Sequence, residues 1–414
     1  MITRTTRAAA GRPRSASPLA AWRARPGAEA GRRVSPPGLL RHWFPPRISG
    51  ASLSWGATGW LGTVSGVLFL LTVLSGLPLM LLYAPSVERA YHSVKDIEHV
   101  AAFGWWLRAV HWVAAHLMVA AVLLHLARVF VTGAYKNGSG PGQRRQWNWV
   151  IGVAMLLVTL CVSFTGYLLP WDQRAFWAVT VGTSILSSAP AAGPLLRAWL
   201  IGGPVIGQAA LSRFYALHVV VLPAILVVLL AYHMWRVLKD GGLAAADRER
   251  DNGAQPRHGR PASDLVLRLA AVTMATFAAV NLAALALRAP LDEPANPFAT
   301  PNPAKAPWYF LWLQELVTDL TIRAGPVSVN GAIVGGLVVP GVLLALLTAW
   351  PWLDRSGPDT AGRWFPAARR GQNAVFVAAI LAILALTSVG LWLRGPSWGF
   401  YWPWDVRPGQ PTRF

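Results

Sequence analysis

Four histidines lie in two pairs within long apolar stretches of the sequence. His111 and His125 are 14 residues apart in one stretch, and His218 and His233 are 15 residues apart in another. Because each interval is close to four helical turns, both members of a pair point to the same side of a helix and lie about 21 Å apart along it. Two such helices side by side would offer two His–His pairs, one near each face of a bilayer. That arrangement suits two six-coordinate haems with imidazole axial ligands.

A histidine inside a membrane span is unfavourable unless it is paired or binds a ligand. One such residue would be structural more often than not, but four in two matched pairs favour haem ligation. The competing interpretation from another class is a transporter that uses intramembrane histidines as a proton relay. A transporter of that kind would lack the Soret absorption band of haem.

Glycines repeat the histidine spacing on two other apolar segments. Gly62 and Gly76 are 14 residues apart, and so are Gly152 and Gly166. A flat macrocycle wedged between helices needs positions without side chains, which only glycine provides. Ordinary helix packing through glycine is the alternative interpretation.

Two arginines flank the histidines of the first pair. Arg108 precedes His111 by three positions, and Arg128 follows His125 by three positions. Each lies near a span end, where its guanidinium would hold haem propionates in a bidentate manner or would simply extend to the membrane interface. The remaining histidines show no matching spacing, and we interpret them as surface or packing residues: His42, His92, His99, His116 and His258.

Composition indicates an all-α polytopic membrane protein. The chain has 414 residues, of which 54% are hydrophobic and 13% charged. Its one cysteine, Cys161, excludes a disulfide within the chain and a CxxCH haem attachment. The net charge of +20 does not indicate nucleic acid binding, since the basic residues lie in tails and loops between apolar segments. The partner that this composition indicates is the lipid membrane.

Seven apolar segments are long enough to cross a bilayer as helices. The basic loops all fall on one side, which predicts a cytoplasmic N-terminus and a C-terminus on the opposite face. We expect the membrane to be the bacterial inner membrane. The predicted spans are Trp60–Tyr83, Trp105–Val131, Trp149–Leu169, Phe214–Val237, Leu265–Leu287, Gly331–Trp350 and Ala374–Leu393.

The segments predict four parts. Residues 1–50 carry ten Arg and one acid, so they are predicted to be a basic, disordered cytoplasmic tail; a misassigned start codon and a lipid-surface anchor are the alternatives. Residues 51–240 are predicted to form a four-helix domain with all four paired histidines. Residues 241–262 are a polar linker by composition. Residues 263–414 are predicted to form a three-helix domain.

The text around these histidines resembles the cytochrome b family, in particular its b6-type branch. FGWWLRAVHWVAAHLMVAAVLLHLARVFVTGAYK is similar to the second helix of the family, FTGYLLPWDQRAFWAV to the end of the third, and GQAALSRFYALHVVVLP to the start of the fourth. The 14 and 15 spacings are the b6-type pattern. The resemblance covers roughly residues 51–240 with high specificity. It continues more loosely through 285–414, which resembles the separate small subunit of b6f complexes, here fused to the first half.

The resemblance implies the membrane core subunit of a quinol:cytochrome c oxidoreductase of the bc or b6f type. His111 and His218 would bind the haem on the positive side, and His125 and His233 the haem on the negative side. Quinol would be oxidised on the positive side and quinone reduced on the negative side. A Rieske iron–sulfur protein and a c-type cytochrome would be the partners, in a homodimeric complex.

The resemblance also implies a quinol pocket, in which this chain departs from the family. The family has a PEWY motif where this chain reads PNPAKAPWYFLWLQEL; Trp308 and Tyr309 match, but Pro307 stands at the glutamate position. Because that glutamate is thought to accept a quinol proton, Glu315 is the predicted substitute and Asp172 a weaker one. Water or a carboxylate of a partner chain is the alternative acceptor.

Two further expectations follow from the resemblance. Arg236 and Lys239 follow His233 closely and would serve the negative-side quinone pocket or a haem propionate, unless they are ordinary basic anchors of the span end. Chloroplast-type relatives attach an extra haem through a cysteine, and this chain has Trp60 at that position. We therefore expect two non-covalent b haems and no covalent one.

One alternative stays within redox chemistry. The missing glutamate also fits a diheme membrane anchor that passes electrons between quinone and a dehydrogenase or reductase without bifurcation. A Rieske partner encoded nearby would favour the bc-type interpretation, whereas a neighbouring molybdenum or hydrogenase subunit would favour the anchor.

Overall fold

A computed structural model describes residues 47–138, 142–244, 260–324, 327–402 and 404. Residues 1–46 lie outside the described residues, and so do residues 245–259 of the predicted linker. The predicted basic tail therefore lies outside the described residues, except for its last four positions. Those four are ordered: Arg47–Ile48 is a short strand, and a helical turn begins at Gly50.

Seven long apolar helices confirm the predicted fold class. Each has 22 to 32 residues, so at about 1.5 Å per residue each exceeds the roughly 30 Å hydrocarbon core. Their backbone hydrogen bonds close within each segment, as lipid requires. They are called here the first to seventh spans, in chain order: Leu61–Leu82, Gly104–Val131, Arg145–Tyr167, Gln208–Lys239, Ala262–Ala286, Gly331–Leu353 and Ala367–Leu393.

Several spans are longer than the hydrophobic pattern predicted. The fourth begins at Gln208 rather than Phe214, and the seventh at Ala367 rather than Ala374. The added turns are polar, so hydropathy alone ended the predicted spans early. Three π-helical segments interrupt the spans, at Leu217–Val221, Val334–Val338 and Val389–Leu393.

Small residues let the first, second and fifth spans pack closely. Ala109 and Ala114 of the second span and Ala284 of the fifth are fully buried, in one cluster with Leu68 and Leu71 of the first. Without a hydrophobic driving force in lipid, close backbone approach through small residues is what holds spans together. This cluster joins the four-span half to the three-span half.

Short elements connect the spans on the two faces of the bundle. Arg47–Ile48 pairs antiparallel with Arg260–Pro261, and Ile322–Ala324 pairs antiparallel with Val327–Val329; the sequence did not predict these strands. The short helices between and beside the spans are Gly50–Leu53, Trp55–Thr58, Ala90–His99, Gln173–Ser187, Gly193–Ile201, Trp308–Asp319, Pro358–Thr360 and Pro396–Trp398. The predicted PWYF loop is thus the first turn of a helix.

A buried ion cluster ties the loop after the second span to the residues that follow the sixth span and begin the seventh. Asp354 lies 3.0 Å from Nε of Arg369 and 3.2 Å from Nζ of Lys136. Arg369 also donates to the carbonyls of Phe130 and Val131 at the end of the second span, where free carbonyls carry partial negative charge. The two loops therefore lie on the same face of the bundle.

Candidate functional site

Each of the four histidines faces one of the four glycines across a helix pair. A β-carbon on Gly62 would lie 3.1 Å from Cε1 of His125, and one on Gly76 would lie 3.1 Å from Cε1 of His111. On the third span, Gly166 faces His218 so closely that a β-carbon would overlap its ring. The fourth contact is looser, since a β-carbon on Gly152 would lie 3.8 Å from Cε1 of His233. The matched spacing of histidines and glycines therefore reflects direct packing of one on the other.

The second and fourth spans bring His111 and His218 together. Their ring centroids are 6.1 Å apart, and the planes are inclined by 75°. An imidazole nitrogen binds a metal at about 2 Å, so two rings with centroids about 6 Å apart leave the space that one ion between them requires. The spacing fits the haem iron that the sequence predicts here.

The outer nitrogens of this pair are already occupied by protein groups. Nδ1 of His111 lies 3.0 Å from Oγ of Ser75, and Nδ1 of His218 lies 2.9 Å from the carbonyl oxygen of Val162. Ser75 donates its own proton to the carbonyl of Leu71, so its oxygen can accept from the imidazole. Such bonds place the ring proton on Nδ1 and leave Nε2 as the ligating nitrogen.

The second pair lies beside a cavity toward the opposite end of the same helices. His125 and His233 line it together with Gly152, Arg128 and Asn148. Five buried polar atoms here lack a hydrogen-bond partner, which is unfavourable unless another group supplies one. They are Nδ1 of both histidines, Nε of Arg128, Oδ1 of Asn148 and Nε of the neighbouring Arg236. A planar ligand with a polar edge fits the arginine and asparagine atoms of this set, whereas Nδ1 is the nitrogen that the first pair keeps bonded to protein.

The π-helical turn of the fourth span explains why its histidines are 15 rather than 14 residues apart. At about 100° per residue, 14 residues stop roughly 40° short of four turns and 15 pass them by about 60°. The π turn Leu217–Val221 contains His218 and accommodates one extra residue. With this extra residue in the π turn, His218 and His233 lie on one side of the fourth span, as His111 and His125 lie on one side of the second.

The predicted propionate arginines have different surroundings. Arg108 donates to Glu98 at 3.0 Å and to the carbonyls of Ala289 and Pro290. This places its guanidinium against the segment after the fifth span. Arg128 is buried and lines the cavity beside His125.

The two basic residues after His233 are also engaged. Arg236 binds both carboxylate oxygens of Asp240, at 2.7 and 2.9 Å. Nζ of Lys239 lies 4.5 Å from the ring centre of Trp235, where a cation is attracted to the aromatic face.

The helix Trp308–Asp319 places the predicted quinol-site aromatics between the second and third spans. Nε1 of Trp308 donates to Nδ1 of His116 at 3.0 Å. The ring of Tyr309 lies 6.0 Å from that of His116, and burial raises the pKa of its hydroxyl to about 12 despite a bond with Ser163. The hydroxyl of Tyr309 is therefore harder to ionise than that of a solvated tyrosine.

Glu315 is fully buried and paired with a residue that the sequence did not indicate. Nε and Nη2 of Arg394 bind its carboxylate at 3.0 and 2.9 Å, and Nη2 also binds Asp319 at 2.9 Å. Gly390 lies against Glu315 in the π-helical end of the seventh span, where a β-carbon would lie 3.4 Å from Oε1. The bond with Glu315 raises the pKa of Arg394. The signal for this pair was an arginine directly after an apolar span.

Asp172 caps a helix and anchors the segment that leads to Trp308. One oxygen accepts from the amide of Ala175 at 2.8 Å and the other from the amide of Asp292 at 3.0 Å. Burial raises its pKa, and these two bonds lower it less. Both oxygens accept from backbone amides, so Asp172 fastens the start of the helix Gln173–Ser187 to the segment that leads to Trp308.

Comparison with known proteins finds two family models that match successive parts of the chain. The family model described as cytochrome b (N-terminal)/b6/petB matches residues 116–307, and the model described as cytochrome b (C-terminal)/b6/petD matches residues 294–398. Cytochrome b of Rhodobacter capsulatus is 31% identical over 364 residues, which cover 82% of this chain and 78% of that protein. The chain belongs to the cytochrome b family. Among solved structures, a chain titled "Hyperthermophilic respiratory Complex III" matches with a TM-score of 0.71 and 26% identity, over 90% of this chain and 91% of that one.

The relatives also confirm the fused layout of this cytochrome b. Cytochrome b6 of Tupiella akineta is 38% identical over 181 residues, covering 81% of that protein but only 44% of this chain. Residues 294–398 match the C-terminal family model. Membership of the family implies that the chain binds b-type haem, and the paired histidines with their facing glycines are the residues that fit it.

Proposed function

We propose that this cytochrome b is the diheme core subunit of a quinol:cytochrome c oxidoreductase of the bc or b6f type. The observation that carries the proposal is the pairing of His111 with His218, each backed by a glycine and each with Nδ1 bound to protein. The second pair, His125 and His233, lies on the same two helices, one on each. Two haem sites in series span the bilayer.

The histidines, glycines and basic residues would have different roles at the two haem sites. His111 and His218 hold one haem and His125 and His233 the other; when bound, the haems supply one-electron transfer across the membrane. Gly62, Gly76, Gly152 and Gly166 leave room for the rings. Arg128 lies buried at the cavity of the second pair, where its unpartnered Nε suits a propionate. Arg236 and Lys239 lie on the same side and suit a propionate or the quinone-reducing pocket.

Quinol would bind beside Trp308 and Tyr309 on the positive side. Asp172 keeps the neighbouring segment in place through two backbone amides. Glu315 is our candidate for the carboxylate that receives a quinol proton in place of the family's glutamate. Since Arg394 holds it in a bidentate pair, it can accept a proton only when that pair opens. The opening would couple proton release to movement of the seventh span's end.

We also propose the setting. The basic loops support a cytoplasmic N-terminus, with the C-terminal end of the seventh span on the opposite side, and our expected location is the bacterial inner membrane. The match to a complex III chain supports assembly with a Rieske iron–sulfur protein and a c-type cytochrome in a dimeric complex. We expect no covalent haem, because Trp60 stands where chloroplast-type relatives have cysteine.

The test is a reduced-minus-oxidised spectrum of the purified protein with haem quantitation. We expect two b haems per chain, one of which is lost in His111→Ala and the other in His125→Ala. A colourless protein, or one haem per chain, would contradict the proposal. Turnover of the purified complex with quinol and cytochrome c then tests the oxidoreductase function.

The second candidate is a diheme quinone-reactive anchor of a dehydrogenase or reductase. Pro307 at the glutamate position and the closed Glu315–Arg394 pair favour it, because neither offers a free carboxylate to quinol. An anchor would contain two haems but would not reduce cytochrome c with electrons from quinol. Co-purification of a Rieske protein would exclude it.

A further inference from the structure

His116 contacts Trp308 and Tyr309, the candidate quinol-site aromatics, although its sequence position suggested a surface or packing residue. It lies five residues after His111 on the second span, half-buried, with Trp112 and Tyr309 against its ring. The indole of Trp308 donates to its Nδ1 at 3.0 Å. His116 therefore joins the span that bears His111 and His125 to the PWYF segment.

The bond with Trp308 fixes the tautomer of His116. An indole N–H is a donor only, so Nδ1 must be the unprotonated, accepting nitrogen. A neutral imidazole then carries its single proton on Nε2. If Nδ1 were protonated, its N–H and the indole N–H of Trp308 would both be donors and could not bond to each other. Trp308 therefore keeps His116 neutral, with its proton on Nε2.

No described residue bonds to Nε2, and the His116 side chain is only partly buried, so its N–H has hydrogen-bonding capacity left for a ligand. The groups against the ring from the packed elements are Trp308, Trp112 and Tyr309, of which only the tyrosine hydroxyl titrates. An accessible donor of fixed direction beside two aromatic rings suits an oxygen acceptor on a flat, apolar ring.

We propose that the Nε2–H of His116 donates a hydrogen bond to an oxygen of the quinone or quinol bound on the positive side. The inference rests on the proposed function and deepens it, since it names a residue that holds the substrate. The ligand class is a para-quinone with its carbonyl or hydroxyl oxygen toward the second span. His116 is a donor and does not take the quinol proton, because its Nδ1 is occupied by Trp308.

Two substitutions separate the two nitrogens of the ring. In His116→Asn the amide oxygen can take the place of Nδ1 and keep the bond from Trp308, but nothing reaches the position of Nε2. In His116→Gln the amide reaches the position of Nε2 and can donate there. His92→Asn, at an exposed position of the surface helix Ala90–His99, is the matched control.

The measurements are the KM for a short-chain quinol in the purified complex and equilibrium binding of the corresponding labelled quinone. The loss of one hydrogen bond corresponds to roughly a tenfold change in affinity. We expect His116→Asn to raise KM about tenfold with a smaller change in kcat, and His116→Gln to stay within about threefold of wild type. Haem content and spectra should remain those of wild type.

Other outcomes overturn the proposal. If His116→Asn behaves as wild type and His116→Gln is impaired, His116 only fastens Trp308. If neither substitution changes quinone binding, the accessible nitrogen meets water or lipid. A different result would refute only the proposed oxidoreductase function: a wild-type complex that binds quinone through His116 but does not reduce cytochrome c. The assignment of His116 to the quinone would then still stand. The binding measurement thus separates the two failures.

Discussion

The ring of His218 rests on Gly166 with no room for a side chain between them. A β-carbon at position 166 would overlap Cε1 and Nδ1 of the imidazole. Neither the helix backbone at position 166 nor the rigid imidazole ring has much freedom to move away. The same ring is held by the carbonyl of Val162. The third span therefore fixes the orientation of a histidine carried by the fourth.

Gly166→Ala should accordingly displace His218 and remove the positive-side haem. We expect about half of the haem per chain to be lost, since the second pair lies elsewhere on the same helices. Gly66→Ala is the control, because a β-carbon there meets nothing within 4 Å. Haem quantitation and the reduced spectrum are the measurements. Full haem content in Gly166→Ala would show that the observed contact does not constrain the site.

The pair of Glu315 and Arg394 should be strongly coupled. The side chain of Glu315 has no exposed surface, so removing Arg394 leaves its carboxylate buried and unpaired. In other proteins, breaking a buried ion pair in this way lowers the folding stability by about 3–5 kcal/mol. We expect Arg394→Gln to lower the thermal midpoint markedly, and Glu315→Gln in the same chain to recover part of the loss. The double-mutant cycle, measured on detergent-solubilised protein, isolates this coupling.

Asp319→Asn provides the comparison for that cycle. Asp319 binds the same guanidinium, but its side chain is 46% exposed, so the pair contributes about 0–1 kcal/mol. Equal effects of the substitutions at positions 315 and 319 would mean that burial of Glu315 does not matter.

The sequence predicted what depends on local periodicity. The spans follow from hydropathy, and the facing of Gly62 and His125 follows from equal spacings on neighbouring helices. The bond between Trp308 and His116, by contrast, joins residues 192 positions apart in the sequence. Likewise Arg394 reaches Glu315 only because the seventh span packs on the helix Trp308–Asp319. Such contacts depend on how helices assemble, which a single sequence does not specify.

Asp354 should make stability depend on acid pH. Burial alone would raise its pKa, but hydrogen bonds from Ser356 and Tyr135 and the charge of Lys136 outweigh burial and hold the pKa well below its ordinary value. A depressed folded-state pKa contributes stability that is complete above the unfolded value of about 3.9 and is lost as pH falls toward the folded value. The contribution of the Asp354 carboxylate to folding stability is therefore roughly constant between pH 5 and 7 and declines only below about pH 4.

The check is the thermal midpoint of wild type and Asp354→Asn across that range. We expect the variant to be less stable at neutral pH and the difference to narrow below about pH 4. Asp359→Asn, at an exposed position in the same loop, should follow wild type throughout. A difference that stays constant down to pH 3 would mean that the charge of Asp354 does not contribute.

The π turn at His218 predicts an asymmetric response to deletions. Because Leu217–Val221 accommodates one extra residue, deleting the exposed Val220 should convert the turn to a regular α-helix with a 14-residue interval. Both rings would then stay on one face, and we expect both haems to be retained.

The second span has no such turn. Deleting Leu124, which is also exposed, shortens the interval from His111 to His125 to 13 residues and rotates one ring by about 100°. That deletion should lose at least one haem, as measured by pyridine haemochrome. Equal losses from the two deletions would show that the π turn does not set the register of the fourth span, and that the 15-residue interval needs another explanation.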